Sequence, residues 1–259
     1  MRRFVRVCLL PVTVAVMAWA LVGALPRSAE VVAQTRQVPT LEAADSSGNG
    51  HDGMVQGPVR MGLSGHDGFA YSFVARGSWI RVPSTPALNP GPDAFLISAW
   101  VNLTGAPGGT ETFDVIRKGV GFTRSGEFKL EVMGTGQIRC SAKDASRNLV
   151  NVSSENAQVV DGTWHWVGCA RAGRAWMALV DDDVTSELDK LGPVRNTVAL
   201  SIGSKYGMED RPAGRIDEVE LRIDRNADTS GGDVRIDALK KLPPVASWRL
   251  DEPTHVARP

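Results

Sequence analysis

Charge of one sign, histidine, cysteine and tyrosine are all scarce in this chain of 259 residues. Lys and Arg number 29 and so do Asp and Glu. A leader ending at Ala33 would remove Arg2, Arg3, Arg6, Arg27 and Glu30, leaving 25 basic and 28 acidic residues, and one ending at Ala24 would leave 26 and 29. A mature charge of about −3 in either case lacks the electrostatic footprint of a nucleic-acid binder. The four histidines, at 51, 66, 165 and 255, make no H-x-x-x-H or related metal spacing, and His165, between Trp164 and Trp166, reads as structural. No serine occupies a G-x-S-x-G elbow and there is no phosphate loop.

The one long apolar run lies at the start. MRRFVR followed by Val7 to Leu25 has the basic and hydrophobic regions of a secretory leader, with cleavage after Ala24 or Ala33. The alternative is a retained anchor, since the run is near the ~20 residues that span a bilayer; Pro11 and the two Ala-ended sites favour cleavage. Residues 1–33 are thus expected to be a signal peptide and 34–40 a linker, giving a secreted, extracytoplasmic protein with no stable membrane insertion after cleavage. Cys8 leaves with the leader. Cys140 and Cys169 remain in a compartment where thiols oxidise, so a disulfide is expected, stabilising by about 3–4 kcal/mol in the chain-entropy treatment. Two buried thiols are the alternative.

Helical periodicity is rare and two-residue alternation is common. Phe95, Ile97, Ala99, Val101 and Leu103 share one face and Ser98, Trp100 and Asn102 the other, a strand with one dry face. The same period recurs at Phe128-Leu130-Val132, Ile138-Cys140-Ala142, Val167-Cys169, Trp176-Ala178-Val180, Val198-Leu200-Ile202 and Val219-Leu221-Ile223, with turn clusters between. Many short strands make an all-β antiparallel sandwich. Residues 224–232 read as a polar loop, Asp233 to Leu242 as a short helix, and Val245 to Leu250 as a last strand. Asp217 is in phase with Val219 and Leu221, so its carboxylate is expected inward or at the rim, where it needs a partner.

Four phrases in order, DSSGNGHDG (Asp45 to Gly53), FLISAWVN (Phe95 to Asn102), DGTWHWVGCAR (Asp161 to Arg171) and GRIDEVELRI (Gly214 to Ile223), resemble the laminin G-like / concanavalin A-like lectin-glucanase superfamily of secreted bacterial proteins. The resemblance implies one jelly-roll sandwich over 41–223, with 224–259 as loop, short helix and a C-terminal strand completing it. Such domains open with W-x-L-D-E, which here stands at the far end as Trp248 to Glu252. Either the tail fills the first strand's place by permutation, or the phrase is a remnant or a coincidence.

The resemblance also implies functional residues. A structural calcium would join Asp217 to Asp45, or to Asp251 and Glu252, with Asn49 in the oxygen-rich early loop; the alternative is an ordinary hydrogen-bonded carboxylate. Related glucanases carry E-x-D-x-E or E-x-D-x-x-E, which is missing, and the face-sharing pairs Glu218/Glu220 and Glu127/Glu131 read as solvated. No catalytic residue is assigned. Sugar binding would use Trp79, Trp100, Trp176 and Tyr206, whose alternative is packing on the second face. Arg117, Lys118 and Lys205 near turns could meet an acidic partner. The expected function is recognition of carbohydrate or an extracellular protein. A structural or adhesive envelope protein and a divergent glycoside-acting enzyme are the alternatives.

Overall fold

The computed structural model describes residues 40–105, 112–208, 210–226 and 236–251, and the backbone of a strand at 254–256. The expected leader, the linker up to residue 39, residues 233–235 of the expected helix, and Glu252 lie outside the described residues. The strands are β1 (Thr40–Ala43), β2 (Gly53–Gln56), β3 (Val59–Ser64), β4 (Phe69–Phe73), β5 (Trp79–Val82), β6 (Ala94–Gly105), β7 (Thr112–Lys118), β8 (Gly126–Met133) and β9 (Ile138–Asp144). They continue with β10 (Leu149–Ser153), β11 (Trp164–Ala172), β12 (Ala175–Val180), β13 (Asp183–Leu188), β14 (Leu200–Ile202), β15 (Ala213–Asp224), β16 (Ala246–Trp248) and β17 (Thr254–Val256). The α-helix α1 (Ile236–Lys241) separates β15 from β16.

Two antiparallel sheets form the sandwich. One has nine strands in the order β10-β9-β8-β7-β14-β5-β2-β1-β17; the other has eight, β13-β12-β11-β6-β15-β4-β3 with β16 beside β15. The apolar phase of each strand meets between them. Phe95, Ile97, Val101, Phe128, Leu130, Val167, Trp176, Val219 and Leu221 share one buried cluster. Cys140 of β9 and Cys169 of β11 belong to it and are disulfide-bonded with Cα atoms 5.4 Å apart, so the bridge crosses from sheet to sheet inside the core.

Two expectations change. The face of β6 opposite the core is largely dry: Leu96, Ser98 and Asn102 are buried, Leu96 because α1 lays Leu239 over Ala94, Leu96, Ala170 and Leu179 in a second apolar cluster, and Asn102 against Gly162 and Arg215. Val198 is only half-buried and precedes β14, which begins at Leu200.

The tail is a working part of the sandwich. β16 pairs with β15, setting Trp248 opposite Val219 and Ala246 opposite Leu221. Trp248 is fully buried in the main core and its Nε1–H donates to the His51 carbonyl at 2.9 Å. The early loop grips the same strand: Asp45 Oδ1 accepts the Ser247 N–H at 3.0 Å, and Asn49 Nδ2 donates to the Val245 carbonyl at 2.9 Å. Truncating Trp248→Ala should therefore destabilise by about 3–5 kcal/mol, while Trp248→Phe, which keeps most of the volume, should cost less. Denaturant midpoints of the two variants check this ordering.

Candidate functional site

The outer face of the eight-stranded sheet carries the richest concentration of aromatic and polar groups. Directly opposed residues of an antiparallel pair lie on one face, so pairing across β11, β6 and β15 lays out rows. Trp166, Trp100 and Asp217 make one row, and Trp164, Asn102 and Arg215 the next. The three indoles are half-exposed. Each has a polar group over it. The His66 ring stacks on Trp100 at 3.5 Å and 9°, Lys240 Nζ lies 4.4 Å from the Trp166 centroid, and the Arg215 guanidinium lies 5.3 Å from that of Trp164. Beside them is a groove of about 470 Å³ lined by Trp100, Trp166, Asp181, Glu220, Arg222 and Lys240.

Asp217 organises this face. A bulge on β15 between Asp217 and Glu220, with Glu218 at φ 46°, breaks the two-residue phase. Ile216 and Val219 thus both enter the core, and Asp217 turns to the Trp100 side instead of sharing the phase of Val219 as expected. Its carboxylate is fully buried under the loop between β3 and β4. Oδ2 accepts the N–H groups of His66 at 2.8 Å and Asp67 at 3.2 Å, and Oδ1 accepts that of Glu218 at 2.8 Å. Glu218 Oε2 meets His66 Nδ1 at 3.0 Å, and Asp251 Oδ1 accepts the Phe69 N–H at 3.0 Å. Gly68 sits at φ +64°, and a Cβ there would collide with the Asp251 carboxylate. Together these contacts hold one short loop so that His66 rests on Trp100. Burial pushes the Asp217 carboxyl up to about 6, against the pull of the backbone donors.

The residues considered for a calcium site divide into two groups. Asp217 and Asp251 clasp the β3–β4 loop. Asp45 accepts the N–H groups of Ser47, His51 and Ser247, and Asn49 presents its amide donor, not an oxygen, to Val245. The Asp45 carboxyl is held below the usual range; burial opposes this, and the Ser47, Ser247 and His51 hydrogen bonds prevail. Hydrogen-bonded carboxylates describe this arrangement, and among the described residues no three His, Cys, Asp or Glu side chains gather as a metal set.

Of the four aromatic candidates, only Trp100 lies on the indole face. Trp176 is fully buried between the sheets, packs on Phe95 and donates to the Cys140 carbonyl at 3.0 Å, so it is a core residue and offers no face to a ligand. Trp79 and Tyr206 form an edge-to-face pair at 5.5 Å on the other sheet's side, with the Tyr206 hydroxyl donating to Ala199 and accepting from Gly119. Trp164 and Trp166, which flank His165 in the sequence, belong to this face as well. The signal was their phase, which matches that of Trp100 across β6. His165 itself contacts Asp181 at 2.8 Å and Asp161 at 3.2 Å, and Asp181 also accepts the Trp166 N–H, fixing the carboxylate at the groove edge. Burial opposes protonation of His165, but the two aspartates raise its pKa overall.

Glu127 and Glu131 are not solvated. They lie on the outer face of the nine-stranded sheet within a buried lattice of alternating charge. Glu131 is met by Lys129 at 2.8 Å and Arg139 at 2.5 Å, and Asp114 by Arg117 at 2.6 Å. Glu131 and Asp114 are almost fully buried, and burial pushes Asp114 up to about 6. Arg117 and Lys118 are likewise sequestered and are not free surface cations. The Lys118 amine, with Ser84 and Asn196 as its acceptors, is pushed down to about 8 by burial.

Residues 74–223 match the profile of the concanavalin A-like lectin/glucanases superfamily. Among curated proteins none matches the sequence significantly. Similar solved structures include the binding domain of Paraclostridial Mosquitocidal Protein 1, with TM-score 0.54, 14% identity and coverage of 71% of this chain and 47% of that one. The botulinum neurotoxin serotype D binding domain gives 0.55, 13%, 75% and 49%. The binding domain of botulinum neurotoxin DC in complex with SialylT gives 0.54, 12%, 74% and 49%. The chain thus spans about half of each of those chains, and identities this low speak for the fold alone.

The raised Asp217 pKa has a signed consequence. A carboxyl whose folded pKa exceeds its unfolded value contributes stability that is full below the unfolded pKa and lost as pH rises through the folded one. Wild-type stability therefore falls, from this group, between the ordinary 3.8 and about 6. In Asp217→Asn that contribution vanishes, so the melting temperature of the variant minus that of the wild type should become more positive from pH 4 to pH 7, as thermal scans across the window would show.

Proposed function

Because the chain belongs to the concanavalin A-like lectin/glucanase superfamily, we propose that it is an exported recognition module binding carbohydrate on the indole face of its eight-stranded sheet. The observation that carries this reading is the placement of Trp100, Trp164 and Trp166, half-exposed, on one face of two adjacent strands, with Asp181, Glu220 and Arg222 edging Trp100 and Trp166. Indole faces pack on the C–H face of a sugar ring, and fixed carboxylates and guanidinium groups order its hydroxyls. Lys240 over Trp166 is a half-buried surface cation whose interaction is worth about 0.5–1 kcal/mol, a small cost for a ligand to displace. His66 on Trp100 is held by the Asp217 loop and forms a fixed wall.

Binding rather than hydrolysis is supported by where the acids sit. Asp114 and Glu131, opposed on β7 and β8, are buried and matched by Arg117, Lys129 and Arg139, and of the acids that line the groove, Asp181 is engaged by His165 and the Trp166 N–H and Glu220 by Arg222. Export is supported by the basic start and apolar run at Val7 to Leu25. The complex of the botulinum neurotoxin DC binding domain with SialylT concerns that toxin, and lends the fold's capacity for ligand binding some support here.

A glycan panel with wild type, Trp166→Ala and Trp164→Ala tests the reading. Wild type should retain a subset of glycans, and each variant should lose about tenfold in affinity while still unfolding cooperatively, Trp166→Ala at a lower temperature because Trp166 also packs on the Leu239 cluster. Binding that is indifferent to both indoles would overturn it.

A further inference from the structure

Strand β13 ends the eight-stranded sheet on one side, and no further strand among the described residues pairs with it. Antiparallel ladders alternate between hydrogen-bonded and non-bonded pairs, so only every second residue of β13 can bond β12. Its register sets Asp183 against Val180, Thr185 against Ala178 and Glu187 against Trp176, and in the same phase the Asp189 N–H donates to the Arg174 carbonyl at 2.7 Å. The bonded set is therefore Asp183, Thr185, Glu187 and Asp189. The N–H and C=O groups of Val184, Ser186 and Leu188 point outward along the free edge. Their side chains lie on the outer face, opposite Leu179, Met177 and Ala175, and Val184 and Leu188 are 53% and 51% exposed. Edge strands are commonly guarded by a bulge, a proline or a lysine. At the other end of the sheet β3 has such a guard, a register shift between Arg60 and Leu63 with Gly62 at φ +69°. β13 pairs without a shift and contains neither Pro nor Lys.

We infer that β13 pairs with β13 of a second copy of this chain, antiparallel about a two-fold axis through Ser186. Outward residues must oppose outward residues, and centring on Ser186 is the register that uses all three. Val184 then meets Leu188 of the partner subunit, Leu188 meets the partner's Val184, and Ser186 meets the partner's Ser186, with two backbone hydrogen bonds for each pair. The exposed valine and leucine cover one another and extend the apolar face that Leu179 begins. Charge fits the same register. Asp182 comes opposite the partner's Lys190, Glu187 opposite the partner's Thr185, and Asp183 opposite the partner's Asp189, a carboxylate that Arg171 of its own chain holds at 2.5 Å. The axis stands normal to the sheet, so both outer faces look the same way and the dimer presents two indole faces side by side. The pairing is independent of the carbohydrate reading, and its test contains no glycan.

Sedimentation velocity of the mature chain from low-micromolar to near-millimolar concentration tests the pairing, with Ser186→Pro beside the wild type. A strand-edge contact is small, so the wild type should move from one toward two chain masses across this range, as a weak dimer does. The Ser186 N–H faces away from β12, so proline there spares the internal ladder but removes the central bonds, and should weaken dimerisation by about tenfold or more. In a second measurement Ser186→Cys should be crosslinked to its own copy by a short bis-maleimide, since a hydrogen-bonded pair sets Cα atoms about 5.5 Å apart. Asn151→Cys, on the exposed edge of β10, should not. A wild type that stays monomeric throughout, a dimer that survives Ser186→Pro, or crosslinking no greater for Ser186→Cys than for Asn151→Cys would each overturn the inference. If Ser186→Pro does not fold, the crosslinking comparison decides.

Discussion

A single buried carboxylate holds the candidate face together. Asp217 accepts three backbone N–H groups, two of them from the loop that carries His66. An unpaired charge in that position would be prohibitive, and the backbone donors of the exposed β3–β4 loop supply its partners. The bulge at Glu218 makes the contact available by rotating Asp217 out of the core phase, and Glu218 then reaches the His66 ring. From this one contact follow the loop's path and the stacking of His66 on Trp100.

The two outer faces use buried polarity differently. On the nine-stranded sheet, opposite charges on β7, β8 and β9 neutralise one another, and the lattice offers no open ligand surface. On the eight-stranded sheet the polar groups are set around aromatic rings, with α1 sealing one end by Leu239 and laying Lys240 over Trp166, where the row of indoles begins. Sealing by a helix explains how one strand, β6, can be dry on both sides near Leu96 and still present a half-exposed Trp100 four residues later.

Much of the sandwich was legible because burial on one face imposes a two-residue period, and Phe95 to Leu103, Phe128 to Val132 and Trp176 to Val180 obey it. The Cys140–Cys169 bridge followed from the leader and the cysteine count. The site was less legible. Asp217 attracted notice as a carboxylate on an apolar strand, but its true direction depends on a bulge, which local alternation does not encode. Local alternation puts Trp176 on the apolar phase of β12 and Trp100 on the opposite phase of β6, but that Trp100, Trp164 and Trp166 gather on one face depends on cross-strand register. Lys240 and Arg215 reach the indoles from segments distant in the chain, where spacing along the sequence carries no signal.

Hydrogen exchange of the backbone amides under native conditions tests the role of Asp217 most directly. With the carboxylate as their acceptor, the His66 and Asp67 amides should exchange slowly for a surface loop, and Asp217→Ala should release both while amides in β8 and β9 keep their protection. Fast exchange of these amides in the wild type, or protection unchanged in the variant, would contradict the account.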